Sequence, residues 1–338
     1  MNEHLRVGTI VTDGDPARLT TNRLFGADLV WQTSKLFGSK NFTTGGWWTR
    51  SGGDLARSDP YGYGLLVDYP NALWDINLNY RHFGDALDPK LGFLPRRNVD
   101  GYSTYVSYQP RPAGGRFAWA RQFYLELNPS VIENLQAVTE SWRVFVAPFN
   151  VVTQRGDHFE ATWIPSFERL FDPFEIAPGG VIPPGGYDFT QYRLQAESSE
   201  HRPWTGAVTA YLGGFYSGRL TQTIVSGSAT ARSGKHRFEL STENDFGYLP
   251  EGDFIERLHQ FRWTYSLTPD LGMSLFAQYD AQAQILAWNA RFRWTVKPGN
   301  DIFVVWTRDW LRTDPEEALR FERESDSVVA KVRWTFRK

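Results

Sequence analysis

The last eleven residues of the chain, VVAKVRWTFRK (328–338), alternate between apolar and polar side chains. The apolar positions are Val328, Ala330, Val332, Trp334 and Phe336. Successive side chains of a strand point to opposite faces, so this period of two predicts a β-strand with one apolar and one polar face. The tripeptide Arg-Trp-Thr inside this stretch recurs at 262–264 and 293–295.

The same period fills much of the rest of the chain, as in LWDINLNYR (73–81) and LAWNARFRWTV (286–296). Only DPEEALRF (314–321) is compatible with a helix. Many alternating runs hold for about ten to thirteen residues, roughly twice the length usual in soluble sheets. Strands that cross a membrane need ~9–11 residues. The pattern therefore predicts an all-β chain whose strands are long enough to span a bilayer.

Composition narrows the function classes. The 338 residues carry 36 basic and 38 acidic side chains, a net charge of −2, which does not favour a nucleic-acid partner. No cysteine is present, which excludes disulfides, thiolate metal sites and cysteine nucleophiles. No apolar run approaches the ~20 residues of a transmembrane helix. The opening MNEHLRVGTI has no signal-peptide pattern, so we expect a cytosolic protein or a piece of a longer one.

Turn signals give a second test of architecture. Clusters of Gly, Pro, Asn and Asp divide the chain into about eighteen strands. Numbered back from the C-terminus, the long connections (51–60, 84–99, 169–187, 246–254 and 311–325) fall on one side. The short connections fall on the other side: YPNAL, QPRPAGGR, SSEHRPW, ARSGKH, SLTPDLG and KPGND. Outer-membrane barrels have this sidedness, with short periplasmic turns and longer extracellular loops.

We therefore predict one domain over 1–338, a closed antiparallel transmembrane β-barrel of about 18 strands (range 16–18) in a bacterial outer membrane. Its lipid face is expected to be apolar and its lumen polar. Lumen-facing candidates are Asp75, Asn77, Asn79, Arg81, Arg262, Arg291, Arg293, Lys331, Arg333 and Arg337, and lumen acids include Asp28, Asp68 and Asp280. Trp263, Trp294 and Trp334 are expected to form an aromatic girdle at the periplasmic lipid interface.

Three stretches resemble a known family: NRLFGADLVW with FGSKNF, then FGDALDPKLGFLPRRNVDGY (83–102), and RFRWTVKPGNDIFVVWTRDW. The chain resembles the C-terminal barrel, a domain of unknown function, of bacterial outer-membrane proteins that carry an N-terminal carbohydrate-binding domain similar to family nine. The resemblance spans about residues 22–338. It implies an outer-membrane location, a preceding signal peptide and glycan-binding domain, and a link to glycan handling, without implying a reaction.

The segment DALDPKLGFLPRR (85–97) is the best functional candidate, a loop that folds into the lumen and narrows or gates the pore. Its candidate residues are Asp85, Asp88, Lys90, Phe93, Arg96 and Arg97. The alternative is a packed extracellular loop. The six histidines lack metal-ligand spacing and no Gly-x-Ser-x-Gly elbow occurs, so we predict no catalytic or metal site, no cofactor and no enzymatic activity.

Three functions remain open at this point. A pore or uptake/export element would contact outer-membrane lipid and the barrel-assembly machinery, with a glycan or small solute in its Arg-rich lumen. The same Arg and Asp ladder would also suit a static salt-bridge network. A soluble aromatic-rich sandwich or propeller that binds carbohydrate, and a barrel enzyme acting on lipid or glycan, are the alternatives. Solubility without detergent separates the second function from the first.

Overall fold

The computed structural model of the chain describes residues 4–17, 20–53, 58–314 and 320–336. Within these ranges the fold is all-β, as predicted, and its one helical element is a 3-10 turn at Gly115–Phe117. Nineteen of the described strands belong to one sheet, and consecutive strands pair antiparallel, as residues 4–13 do with 23–32 and residues 258–268 with 271–280. Tyr124 alone separates two of these strands, so the chain makes eighteen passes, which confirms the predicted number.

The chain divides into two compact units. The first contains Met1–Val151, Ala161–Phe174 and Ile182–Gln191, and the second contains Val152–Glu160, Glu175–Val181 and Tyr192–Lys338. The strands up to residue 153 are β1 (His4–Asp13), β2 (Asn22–Leu36), β3 (Lys40–Gly53), β4 (Tyr61–Pro70), β5 (Trp74–Phe83), β6 (Val99–Tyr108), β7 (Ala120–Phe123), β8 (Leu125–Asn134) and β9 (Thr139–Thr153).

Residues of both units contribute to β10 (His158–Leu170) and β13 (Gly185–Glu197). Between them, β11 (Phe174–Ala177) and β12 (Gly180–Ile182) form a separate two-stranded sheet. The remaining strands are β14 (Trp204–Phe215), β15 (Gly218–Thr230), β16 (His236–Tyr248), β17 (Phe254–Thr268), β18 (Leu271–Asp280), β19 (Ile285–Lys297), β20 (Asn300–Asp314) and β21 (Arg320–Arg333).

Register determines which side chains share a face. In the first unit, one row of directly opposed residues runs through Asp28, Trp47, Gly64, Arg81 and Gly101. In the second unit, a row of glycine and apolar residues runs through Gly206, Gly227, Leu240, Phe261, Ala277 and Trp288. Each unit therefore has a polar face and an apolar face, and we use these two names below.

Many large side chains on the apolar face are exposed. Trp204 is 63% exposed, Leu65 is 62% exposed and Leu240 is 61% exposed. Side chains with almost no exposure, such as Val151 and Ile164, are few by comparison among the described residues. A single strand buries its apolar side chains only when another layer covers that face, and no such layer lies over these residues in the described part of either unit.

The connections alternate between the two ends of the strands. In the first unit we call the end with 84–98 and 135–138 the loop edge, and the end with 37–39, 71–73 and 109–119 the turn edge. In the second unit the loop edge has 216–217, 249–253 and 281–284, and the turn edge has 198–203, 231–235, 269–270 and 298–299.

Three predicted connections need correction. QPRPAGGR belongs to an eleven-residue connection, 109–119, in which Gly114 and Gly115 adopt positive φ. The predicted long connection at 246–254 shortens to 249–253 because β16 and β17 extend into it. Most of the predicted loop 311–325 is strand, because cross-strand pairs such as Arg308 with Asp326 continue the hairpin. The helix-compatible segment lies largely in 315–319, outside the described residues.

Candidate functional site

The predicted lumen residues of the first unit lie on its polar face. Asp75, Asn77, Asn79 and Arg81 alternate along β5 with Trp74, Ile76, Leu78 and Tyr80, and the register keeps the two sets on opposite faces. The amide of Asn77 donates to Asp68 on the neighbouring strand over 3.2 Å. Asp28 lies in the same row as Arg81. Whether this face lines a lumen stays a prediction.

The predicted lumen residues of the second unit also share one face. Directly opposed pairs connect Arg291 through Ser274 to Thr264, and Arg293 through Phe303 to Lys331. The other predicted lumen residues of this unit lie on the same face: Arg262, Asp280 and Arg333. Arg262 lies 3.5 Å from the carboxylate of Glu239, and Arg293 lies 3.6 Å from that of Asp301. Arg337 lies outside the described residues.

Charge on the polar face of the second unit is separated along the strands. Toward the loop edge, the amide of Gln222 donates to Glu243 over 2.7 Å and to Asp245 over 3.2 Å, and Glu256 lies directly opposite Asp245. Toward the turn edge the charges are mainly basic, with Arg237, Arg262, Arg291, Arg293, Lys331 and Arg333. The polar face of the second unit therefore has an acidic zone toward the loop edge and a basic zone toward the turn edge.

The connection 84–98, which we call the inner loop, lies over the polar face of the first unit. Leu87 is 3% exposed because it packs on Gly62, where an added Cβ would lie 2.8 Å from Leu87 Cδ2 and 3.3 Å from the ring of Trp47. The carbonyl oxygen of Asp88 accepts from Asn22 Nδ2 over 2.8 Å, and its amide donates to Ser51 Oγ over 2.8 Å. The first half of the inner loop is therefore anchored on β2, β3 and β4.

Its charged residues form ion pairs within the loop and across the sheet. The Asp88 carboxylate, whose side chain is 7% exposed, lies 2.6 Å from Arg97 and 3.1 Å from Lys90. Arg96 reaches Glu168 on β10 over 2.9 Å, Glu140 over 3.5 Å and Ser141 over 3.1 Å. Phe93, in contrast, is 88% exposed. The second half of the loop is thus tied to β9 and β10.

Pro95 and Arg96 also line a groove of about 320 Å³ with the polar-face residues Arg81 and Ser103. The inner loop therefore lies on the side of the sheet that carries the predicted lumen residues. Asp85, at its start, accepts hydrogen bonds from the Ser58 hydroxyl and from the Asp59 amide, the latter over 2.9 Å. These hydrogen bonds hold the pKa of the exposed Asp85 carboxyl below its usual range.

A histidine site was missed by sequence reasoning. His82 is 7% exposed, with Nδ1 2.9 Å from Asp100 and Nε2 2.8 Å from Asp59, and its ring stacks on Tyr63 at 4.5 Å. The Tyr80 hydroxyl donates to Asp100 over 2.7 Å. The two acids lie 18 and 23 residues from His82 along the chain, so only the pairing of β4, β5 and β6 reveals them. The cluster fastens the start of the inner loop, because Asp59 also accepts from the Ala86 amide.

The three tryptophans predicted to form a girdle lie in different environments, and the girdle itself stays a prediction. Trp263 and Trp294 share the apolar face through Leu275 and Leu271 of β18. Trp294 is 44% exposed, whereas Trp263 is half-buried, stacks on Tyr265 at 6.1 Å and donates from Nε1 to His236 over 3.3 Å. Trp334 is 51% exposed and follows the last residue of β21.

Within the described ranges, no group of three or more His, Cys, Asp or Glu side chains is arranged to hold a metal ion. In the same part of the chain, no helix is both long and apolar enough to cross a membrane. No protein-family model and no curated protein sequence matches the chain.

Proposed function

We propose that the chain is a bacterial outer-membrane β-barrel whose polar face lines a lumen and whose apolar face contacts lipid. The observation that carries the proposal is the exposed apolar face, which continues with consistent register over consecutive strands while the opposite face holds most of the charged residues. In water such a face would need a covering layer, whereas in a bilayer hydrocarbon covers it. Strands of 10 to 15 residues, such as β5 and β17, are long enough to span.

The proposed barrel would close its eighteen passes antiparallel, since a sheet in hydrocarbon cannot leave an edge unpaired. About eighteen strands would enclose an interior too wide for side chains alone to fill. The inner loop would narrow that interior from the first unit. Its buried anchors Leu87 and Asp88 and the Arg96 ion pairs support a fixed constriction rather than a mobile gate.

The activity we assign is passage of small polar solutes. Acidic and basic zones on the polar face of the second unit favour solutes that carry both charges or neither, because a single charge would be repelled by one of the zones. The resemblance to barrels associated with a glycan-binding domain agrees with a neutral, polyhydroxylated solute. We assign no reaction to the chain.

Planar-bilayer recording of the refolded chain tests the proposal. We expect stable unitary currents with little preference between K⁺ and Cl⁻. A chain that remains monodisperse in buffer without detergent would refute the membrane assignment. Silence of a chain that has inserted would refute the open pore alone and favour a plugged barrel or scaffold.

A further inference from the structure

The apolar face of the second unit changes character along its strands. Leu240 and Phe261 lie directly opposite each other and are 61% and 37% exposed. Toward the turn edge the next pair is Phe238 with Trp263. Toward the loop edge the next pairs are polar, Thr242 with His259 and then Asn244 with Arg257. This same face therefore passes from aromatic to polar within two residues of the Leu240–Phe261 pair.

We call these four polar residues the headgroup cluster, and hydrogen bonds connect three of them, Asn244, Thr242 and His259. Asn244 Nδ2 donates to Thr242 Oγ1 over 3.3 Å, and Thr242 Oγ1 lies 2.9 Å from His259 Nδ1. The His259 ring is parallel to that of Tyr279, with 6.4 Å between centroids. The contacts fix the imidazole and the amide beside Arg257 on one surface.

The charge of the headgroup cluster is positive. Arg257 is exposed, and no ion pair joins it to an acid in the described part of the chain. The acids of the same strands have the opposite parity and lie on the polar face: Glu239, Glu243, Asp245 and Glu256. Arg219, also on the apolar face, lies over the Tyr248 ring at 4.9 Å. The same face at the turn edge carries uncharged residues such as Trp294 and Ile302.

We propose that Arg257, His259 and Asn244 bind the phosphate of a lipid headgroup, a site that rests on the membrane function proposed above. Arg257 is four residues from Phe261, or about 13 Å along the strand at ~3.3 Å per residue. A headgroup phosphate borders the hydrocarbon that would cover Leu240 and Phe261. A guanidinium matches phosphate oxygens with two parallel N–H donors, and such charge-assisted hydrogen bonds are the strong ones.

The lipid, rather than free phosphate, is the occupant because the cluster continues directly into the apolar band. An acyl chain attached to the bound phosphate would lie along Leu240 and Phe261. Charge favours an anionic headgroup over a zwitterionic one, since a second cation on the lipid would be repelled by Arg257.

Native mass spectrometry of the refolded full chain in dodecyl maltoside tests the site, with phosphatidylglycerol and phosphatidylcholine of equal acyl length as probes. We expect wild type to retain phosphatidylglycerol over phosphatidylcholine, and Arg257→Gln to weaken phosphatidylglycerol binding about tenfold. Arg257→Lys keeps the charge but loses the bidentate geometry and should fall between the two. Arg291→Gln removes an equal charge from the polar face and should bind as wild type does.

Equal loss in Arg257→Gln and Arg291→Gln would overturn the site, as would equal retention of both lipids by wild type. Full displacement of the lipid by inorganic phosphate at the same concentration would overturn the lipid as occupant. If Arg257→Gln fails to fold, His259→Gln with Asn244→Ala tests the same surface. Failure of these tests in a protein that still inserts and conducts would leave the proposed pore standing.

Discussion

The loop edges of the two units are stabilised in different ways. In the first unit, the inner loop is attached by a buried leucine, a buried aspartate and ion pairs to residues 44 and 72 positions away. In the second unit, the connections 216–217, 249–253 and 281–284 join neighbouring strands whose register continues almost to the turn. The first edge depends mainly on tertiary contacts and the second mainly on hairpin geometry.

This difference teaches where single substitutions will matter. A hairpin turn changes little when one exposed side chain is lost, because its backbone pairing remains. A loop held by a few side chains loses a large share of its attachment with each one. Substitutions in the inner loop should therefore have larger effects than comparable ones in the second unit.

The largest effect is expected from Leu87→Ala. The substitution leaves a cavity over Gly62 and Trp47, and losses for buried leucines of this kind are about 2–5 kcal/mol. Urea unfolding in detergent should give a free energy of unfolding lower by this amount. Leu91→Ala, in the same loop but 54% exposed, is the matched control and should cost under ~0.5 kcal/mol. Equal losses for the two variants would mean that Leu87 does not anchor the loop.

Arg96→Ala should lower the free energy of unfolding less than Leu87→Ala does, and its main effect should be on conductance. The guanidinium is about one-third exposed, so its pairs with Glu140 and Glu168 contribute on the order of 1 kcal/mol. Release of the second half of the inner loop should widen the constriction and raise unitary conductance. Arg116→Ala, in the exposed 109–119 connection, should leave conductance unchanged. A conductance equal to wild type in Arg96→Ala would exclude the loop as the constriction.

Much of the fold could be predicted from sequence because it depends on local periodicity. Alternation in LWDINLNYR placed Asp75 and Arg81 on one face and Trp74 on the other, and pairing with β4 and β6 keeps that assignment. Connection lengths were less predictable. The charged residues in 311–325 predict a loop, whereas a cross-strand Arg308–Asp326 pair allows the strands to continue.

The site depends on residues that are distant in sequence, which explains what could not be predicted. Nothing near His82 indicates that Asp59 and Asp100 will flank its ring. The partners of Arg96 lie on strands formed much later in the chain. Trp47 follows a glycine pair and precedes Trp48, so alternation requires one of these two tryptophans on the polar face. This signal in the sequence shows that a tryptophan need not lie on the apolar face.

In the second unit, replacing Trp263 or Trp294 is expected to lower the free energy of unfolding by an intermediate to small amount. Trp263→Phe removes the Nε1 donor to His236 and should cost about 0.5–1.5 kcal/mol, the usual net contribution of one hydrogen bond. Trp294→Phe removes an exposed indole and should cost less when unfolding is measured in detergent. The free energies of unfolding of the two variants, measured in detergent, test this order. A greater loss for Trp294→Phe would show that interfacial burial outweighs the hydrogen bond.

The smallest effects concern two aspartates in connections, one in each unit. Hydrogen bonds from Ser58 and the Asp59 amide lower the pKa of Asp85, while Arg202 and the Ser199 amide lower the pKa of Asp157. A carboxyl whose pKa is lower in the folded state stabilises the fold above its unfolded pKa of about 3.9, and that contribution disappears as pH falls through the folded value. Both attachments should therefore be intact at neutral pH and weaken below about pH 4.

Amide hydrogen exchange at Asp59 and Ser199 measures the two attachments separately, since each amide donates to one of the carboxylates. Corrected for the intrinsic pH dependence of exchange, protection of both amides should fall below pH 4. Asp85→Asn should remove the pH step at Asp59 alone, and Asp157→Asn the step at Ser199 alone. At Ser199 the charge of Arg202 contributes, so added salt should reduce the step there more than at Asp59. Steps that respond equally to salt would mean that the Asp157–Arg202 pair adds nothing beyond its hydrogen bonds.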